Sequence, residues 1–464
     1  MKELFNRVLK SIPDYKEFLT IEELDRSSYL LAYKYPDIVT TFIAGYSRNN
    51  LPILCVKIGK GSKNALLYGC PHPNEPIGAM MLEYLSEALA ANKDFRESLD
   101  FTFYIIKSVD PEGTRLNEGW FKGDITLRSY ATNFYRPEST AQVDWTFPIK
   151  YKDLNFDKPI KETQYLMKLI DEIKPQFMYP LHNAGFGGTY WYLSEPVPEI
   201  YEALYKASND ANIPIHLGEP EMPFIKKFAP GIFKMVGAKQ IYDHMEKYTE
   251  SGKSPADHIN NGTCSHEYAE NTYKPFSVMT ELPYFLDERV CDTSKTKTTR
   301  KESLLNSYKY NEQVLDFIRE NLSIYETLID KKHNPFYKAI QMYISALSSN
   351  EINKKIILQN SEYNNFATKA EIFDSLIKSK FYMGILAIGV LQRISKYEID
   401  RLNKSNQKVA VKILKKANKL ALNKIDEIAN ELDEDLNYRV LKIKDLIKVQ
   451  LETGLIVLNY LNNQ

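Results

Sequence analysis

The chain has 464 residues, with 60 basic and 60 acidic side chains and no net charge. That length exceeds the size at which one hydrophobic core usually keeps growing, so two domains are expected. The charge balance offers nothing globally basic to attract nucleic acid, and an anionic partner would have to meet a local patch.

Met1-Lys2-Glu3-Leu4-Phe5 does not open into a signal peptide, because Lys10, Asp14, Lys16 and Glu17 interrupt any apolar stretch. The first informative element is Ala65-Leu66-Leu67-Tyr68-Gly69, an apolar run that predicts a buried strand. It leads into Cys70-Pro71-His72-Pro73-Asn74-Glu75-Pro76-Ile77-Gly78, and Ala79 to Ala91 then has helical apolar spacing. A histidine and a carboxylate three residues apart, stiffened by prolines at the carboxyl end of a strand, suit a metal loop. Zinc takes imidazole nitrogen and carboxylate oxygen at about 2.0 to 2.2 Å, and a catalytic zinc has three protein ligands and an open position. Cys70, beside this loop, reads as a small buried residue rather than a nucleophile.

A helix is predicted over Ile160 to Ile173, followed by the apolar strand Gln176-Phe177-Met178-Tyr179-Pro180-Leu181. His182 ends that strand as His72 follows its own, and the glycines at 185, 187 and 188 let backbone approach a ligand closely. It is therefore the best third ligand; alone it would read as a hydrogen-bonded structural imidazole. In Phe276 to Tyr284 an acid, Glu281, interrupts a strand-like run, where a carboxylate is costly unless paired or near a cation. Beside a zinc-activated water it would serve as general base. His258 and His266, near Asp257 and Glu267, lack ligand spacing for a second metal. Neither a Gly-rich phosphate loop nor a Gly-x-Ser-x-Gly elbow is present. Cys55, Cys70, Cys264 and Cys291 form no Cys-x-x-Cys pair and fit free thiols in a reducing compartment, so a cytoplasmic location is expected.

Asp292 to Lys301 is polar and reads as a linker or exposed loop. From Ser303 onward the pattern is helical, and Leu436, Val440, Ile443, Ile447, Leu451, Leu455 and Leu458 make one apolar stripe. Such a stripe must be covered within the helices, by docking on the rest of the chain, or in a homo-oligomer. The longest apolar run, Phe381 to Leu391, has 11 residues, too few to span a bilayer. Lys412, Lys415, Lys416, Lys419 and Lys424 mark the solvated side of the preceding helix.

Taken in order, Gly45-Tyr46-Ser47, Pro52-Ile53, His72-x-x-Glu75, Asp110-Pro111-Glu112-Gly113-Thr114-Arg115-Leu116-Asn117, His182 and Thr280-Glu281-Leu282 resemble the zinc metallocarboxypeptidase family (carboxypeptidase A-like peptidases). The likeness covers roughly Tyr29 to Arg289. It implies one zinc per chain on His72, Glu75 and His182, Glu281 as general acid/base, and Arg115 polarising the scissile carbonyl. The family's adjacent Asn-Arg pair, which clamps a terminal carboxylate, has no clean counterpart in Ala131 to Arg136; Asn133, Arg136 and Arg128 are candidates. Tyr268 resembles the family's mobile tyrosine, with Tyr273 close enough to compete.

The expected fold is a mixed α/β sheet sandwiched by helices over residues 1–302, followed by an all-α domain of unknown role over 303–464, folding independently of the first. The expected activity is zinc-dependent hydrolysis of a peptide or peptide-like amide. The alternatives are an amidase or deacylase acting on a non-peptide acyl amide, and a catalytically silent binding module. The expected partner is a peptide-like substrate, with neither nucleic acid nor membrane involved.

Overall fold

The computed structural model describes residues 2–464 except 223, 250, 251, 349 and 406, and no side chains at 348 and 350–353. Its centre is a nine-stranded mixed sheet in the order Val39–Tyr46, Pro52–Ile58, Phe101–Ile106, Lys63–Tyr68, Phe177–Pro180, Phe276–Glu281, Tyr190–Leu193, Ile232–Lys234 and Lys227–Ala229. Lys63–Tyr68 runs parallel to both of its neighbours, and Phe177–Pro180 runs parallel to Phe276–Glu281. The outer pairs are antiparallel. The carboxyl ends of the parallel strands, which carry His72, His182 and Glu281, therefore gather at one edge.

Both faces of the sheet are covered, which explains why these strands read as unbroken apolar runs. Side chains alternate across a strand. Ala65 and Leu67 pack with Met81 and Leu85 of the helix Ile77–Ala91, whereas Leu66 and Tyr68 pack with Leu166 and Ile170 of the helix Lys161–Ile173.

The carboxyl-terminal region is helical, as the sequence predicts, with Arg300–Ser323, Pro335–Ser348, Leu386–Lys404, Lys408–Asp435 and Ile443–Asn462 its longest helices. Three details differ from the sequence reading. Within the stretch read as a linker, Lys295–Thr299 is a strand paired with Phe366–Thr368, and Thr299 and Glu302 then form a capping box for the helix that follows. The last helix starts at Ile443 rather than Leu436, because Tyr438–Val440 pairs as a strand with Pro283–Asp287 and leaves Val440 exposed. Third, the two parts are not separate in their cores: Leu451, Leu455 and Leu458 are buried in the same apolar cluster as Leu67, Met81 and Tyr179. The stripe is thus covered by docking on the sheet's helices. No helix among the described residues is long and apolar enough to cross a membrane.

Candidate active site

The loop after Lys63–Tyr68 is shaped by steric demands. Cys70 adopts φ 51°, a left-handed turn that is strained for a side-chain-bearing residue. The Glu75 amide donates to the His72 carbonyl at 3.1 Å, closing the turn between the prolines. Gly78 presses the following helix against the strand bearing His182, since a Cβ there would lie 2.5 Å from that of Leu181. The loop is thereby brought against His182.

His72 Nδ1 lies 3.0 Å from Glu75 Oε1, His182 Nδ1 lies 3.0 Å from Glu75 Oε2, and the two Nδ1 atoms are 3.2 Å apart. All three residues are buried. Ligands bound to one zinc at about 2.0 to 2.1 Å in a tetrahedron stand about 3.3 Å from one another. The closest contacts approach that spacing, with Glu75 meeting each histidine through a different oxygen; one donor atom from each residue lies within 4.8 Å of the others, and the three form the one such cluster of three or more metal-type side chains among the described residues.

Behind His182 stands a residue that the sequence reading missed. Asp144 Oδ2 accepts from His182 Nε2 at 3.0 Å, and Tyr68 donates to Asp144 Oδ1 at 3.1 Å. Ser265 lies 2.5 Å from the Tyr68 hydroxyl. A carboxylate on the outer nitrogen of a ligand imidazole fixes its tautomer and ring orientation, leaving Nδ1 directed inward. The signal that singled out Glu281, an acid within an apolar stretch, was equally present in Val143-Asp144-Trp145.

The carboxylates give the cluster negative charge, which the histidines meet in different ways. Burial, with help from Arg136, holds the pKa of His72 down at about 4, so the ring is a neutral donor near pH 7. Burial also opposes the charge on His182, but Glu75 and Asp144 overrule it and hold its pKa well above the usual imidazole value. Burial opposes ionisation of Glu75 and Asp144 as well, yet the histidines keep both carboxyls below their usual range. Glu281 ends its strand directly opposite Tyr190 and is buried; burial and the neighbouring Glu75 raise its pKa well above the usual value.

The other residues singled out in the sequence are scattered. Arg115 is exposed on the helix Pro111–Asn117, where its charge acts on Asp25 and Glu118, so the structure does not support the carbonyl-polarising role implied by the resemblance. Arg128 is half-buried and bound to Asp426, Asn430 and Asp433 of the helix Lys408–Asp435. Asn133 donates to the Ser129 carbonyl, and Tyr268 donates to Asp171 at 2.9 Å while its ring packs on Phe147. Of these candidates, Arg136 alone reaches the ligands: its Nη1 lies 3.4 Å from Glu75 Oε1, and the side chain is 29% exposed.

Residues 26–202, a stretch that includes His72, Glu75, Asp144 and His182, match the family model described as zinc carboxypeptidase. No curated protein matches the sequence. Similar solved structures include carboxypeptidase A from Helicoverpa armigera, at 15% identity over 61% of this chain and 71% of that one, TM-score 0.36. Another is a metallo-carboxypeptidase from Burkholderia cenocepacia, at 14% identity over 57% of this chain and 60% of that one, TM-score 0.35. A third is the murein-tripeptide amidase MpaA from Escherichia coli O157, at 15% identity over 52% of this chain and 83% of that one, TM-score 0.29.

Proposed function

We propose that the protein hydrolyses a peptide or peptide-like amide bond, with one zinc per chain held by His72, Glu75 and His182. The observation that carries this reading is the convergence of three buried side chains, with one donor atom from each within 4.8 Å of the others, beside the buried Glu281. Zinc held there supplies Lewis acidity and a water acidic enough to ionise near neutral pH. Glu281 takes the proton released as the nucleophile forms and returns it to the leaving amine nitrogen. Arg136, rather than Arg115, faces the carbonyl oxygen and stabilises the negative charge that develops on it. Asp144 keeps the His182 ring aimed.

One observation favours the amidase or deacylase form of this chemistry over a carboxypeptidase. Arg128 and Asn133 are engaged elsewhere, which leaves Arg136 as the one residue of the three with access to the site, without either of the other two to complete a terminal-carboxylate clamp. The test is to load the protein with zinc and assay acylated dipeptides with free carboxyl ends against their amidated twins. Equal cleavage of both is expected for an amidase. Strict dependence on the free carboxyl would establish the carboxypeptidase form, and no cleavage of any amide by zinc-loaded protein would overturn the proposal.

A further inference from the structure

The carboxyl-terminal helices reach the backbone of the site segments themselves. Gln450 donates to the His182 carbonyl at 2.9 Å, and the Tyr382 hydroxyl accepts from the Gly185 amide at 2.8 Å. The most developed of these contacts is made by Arg393, on the helix Leu386–Lys404. Its Nη1 donates to the Asn133 carbonyl at 2.6 Å and to the Phe134 carbonyl at 3.0 Å. Those carbonyls end the short helix Leu127–Asn133, where backbone acceptors lack intrahelical partners.

The arrangement is tighter than a surface cap requires. One turn before Arg393, Gly389 lies against Ala131 so closely that a Cβ would stand 2.1 Å from the Ala131 carbonyl oxygen. The Arg393 guanidinium stacks 4.2 Å from the ring centroid of Phe336 and forms no ion pair with a carboxylate among the described residues. Burial lowers its pKa to about 10. A desolvated cation without an anion is costly, and carbonyl capping alone does not demand one. The next residue is held just as firmly: Asn117 accepts from the Tyr135 amide at 2.9 Å and donates to its carbonyl at 2.9 Å. Beyond Arg136, Gln142 donates to the Pro137 carbonyl at 2.7 Å. The backbone on both sides of Arg136 is thus clamped, and one clamp comes from the helical region.

We infer that Arg393 is the positioning residue of Arg136, so that the helical region, through this guanidinium, completes the site from outside the sheet. The inference rests on the role proposed above for Arg136. It gives residues 303–464 a function in the reaction without placing any of them on the substrate.

The test is a double-mutant cycle on the full-length, zinc-loaded protein, with Arg393→Met, Arg136→Met and the pair, plus Arg393→Lys. Arg393→Met should lower kcat by about 10- to 100-fold, the effect of a modest misplacement of an oriented group, while KM and zinc content hold. Arg393→Lys should recover part of the loss. If Arg393 acts through Arg136, the double variant should be no slower than Arg136→Met alone. A double variant slower by the product of the two losses would overturn the positioning role and leave the reading of Arg136 standing. Wild-type kcat in Arg136→Met would overturn both. Hydrogen exchange gives a readout independent of turnover: the amides of residues 134, 135, 136 and 138 should exchange faster in Arg393→Met and not in Arg136→Met. Unchanged exchange there would overturn the inference.

Discussion

Replacing Asp144 by asparagine removes a charge from behind a metal ligand while keeping its shape. In the wild type, Asp144 accepts from His182 Nε2 at 3.0 Å and from Tyr68 at 3.1 Å. Asparagine can turn its oxygen to His182, but its amide group then faces the Tyr68 oxygen, which must pass its own proton to Ser265, 2.5 Å away. Since that acceptor exists, the fold should tolerate the change. The loss is the difference between a charge-assisted bond, about 1.5 to 3 kcal/mol, and a neutral one, about 0.5 to 1.5 kcal/mol. About 1.4 kcal/mol is one factor of ten, so zinc affinity should fall by about tenfold for Asp144→Asn. It should fall towards about 100-fold for Asp144→Ala, which frees the His182 ring to rotate. Competition against a chelator of known affinity at pH 7 measures this directly, with thermal unfolding of the metal-free proteins as the control for folding. Zinc dissociation constants within twofold of wild type for both variants would refute the argument that Asp144 holds His182 for a metal.

Glu281→Gln removes no ligand, so elemental analysis should find full zinc while turnover falls by about two to four orders of magnitude. Leu451→Ala opens a cavity beneath the last helix, where Leu451 lies in the same cluster as Met81 and Tyr179; it should cost about 2 to 5 kcal/mol in one shared unfolding transition, read by denaturant titration. Asp287 is buried, and burial alone would raise its pKa, but Arg289 and the Asn437 amide hold it below the ordinary carboxylate value. The unfolded chain therefore binds more protons in the interval between the two values. The stability that Asp287 contributes is complete above its unfolded pKa of about 3.9 and is lost as pH falls through the lower folded value. The stability difference between wild type and Asp287→Asn, followed by circular dichroism, should shrink on acidification across that interval.

Which parts of this molecule were legible in the sequence follows from the range of the interactions involved. His182 and Glu281 end strand-like apolar runs, His72 and Glu75 lie in the loop that follows another, and a parallel sheet gathers such ends at one edge, so local pattern was enough to nominate them. Arg115 shows the opposite case. It sits in a stretch that resembles the family's turn, yet the helix Pro111–Asn117 aims it at solvent, because helical phase rather than motif decides where a side chain points. Arg128 was equally unreadable, since its partners Asp426 and Asp433 lie some three hundred residues away in the chain.

The boundary near residue 300 marks a true change from strands to helices, but a change of periodicity is not a division of the core. A stripe such as Leu446, Ile447, Leu451, Leu455 and Leu458 records only that a helix has an apolar face, and says nothing about what covers it. Here the cover is the sheet's own helix layer, and Gln450, on the same helix, reaches the carbonyl of His182. Loosening that helix would therefore disturb backbone that carries a metal ligand. Leu451→Ala should consequently weaken zinc binding as well as stability. Unchanged zinc affinity in that variant would mean that the last helix stabilises the fold without reaching the site.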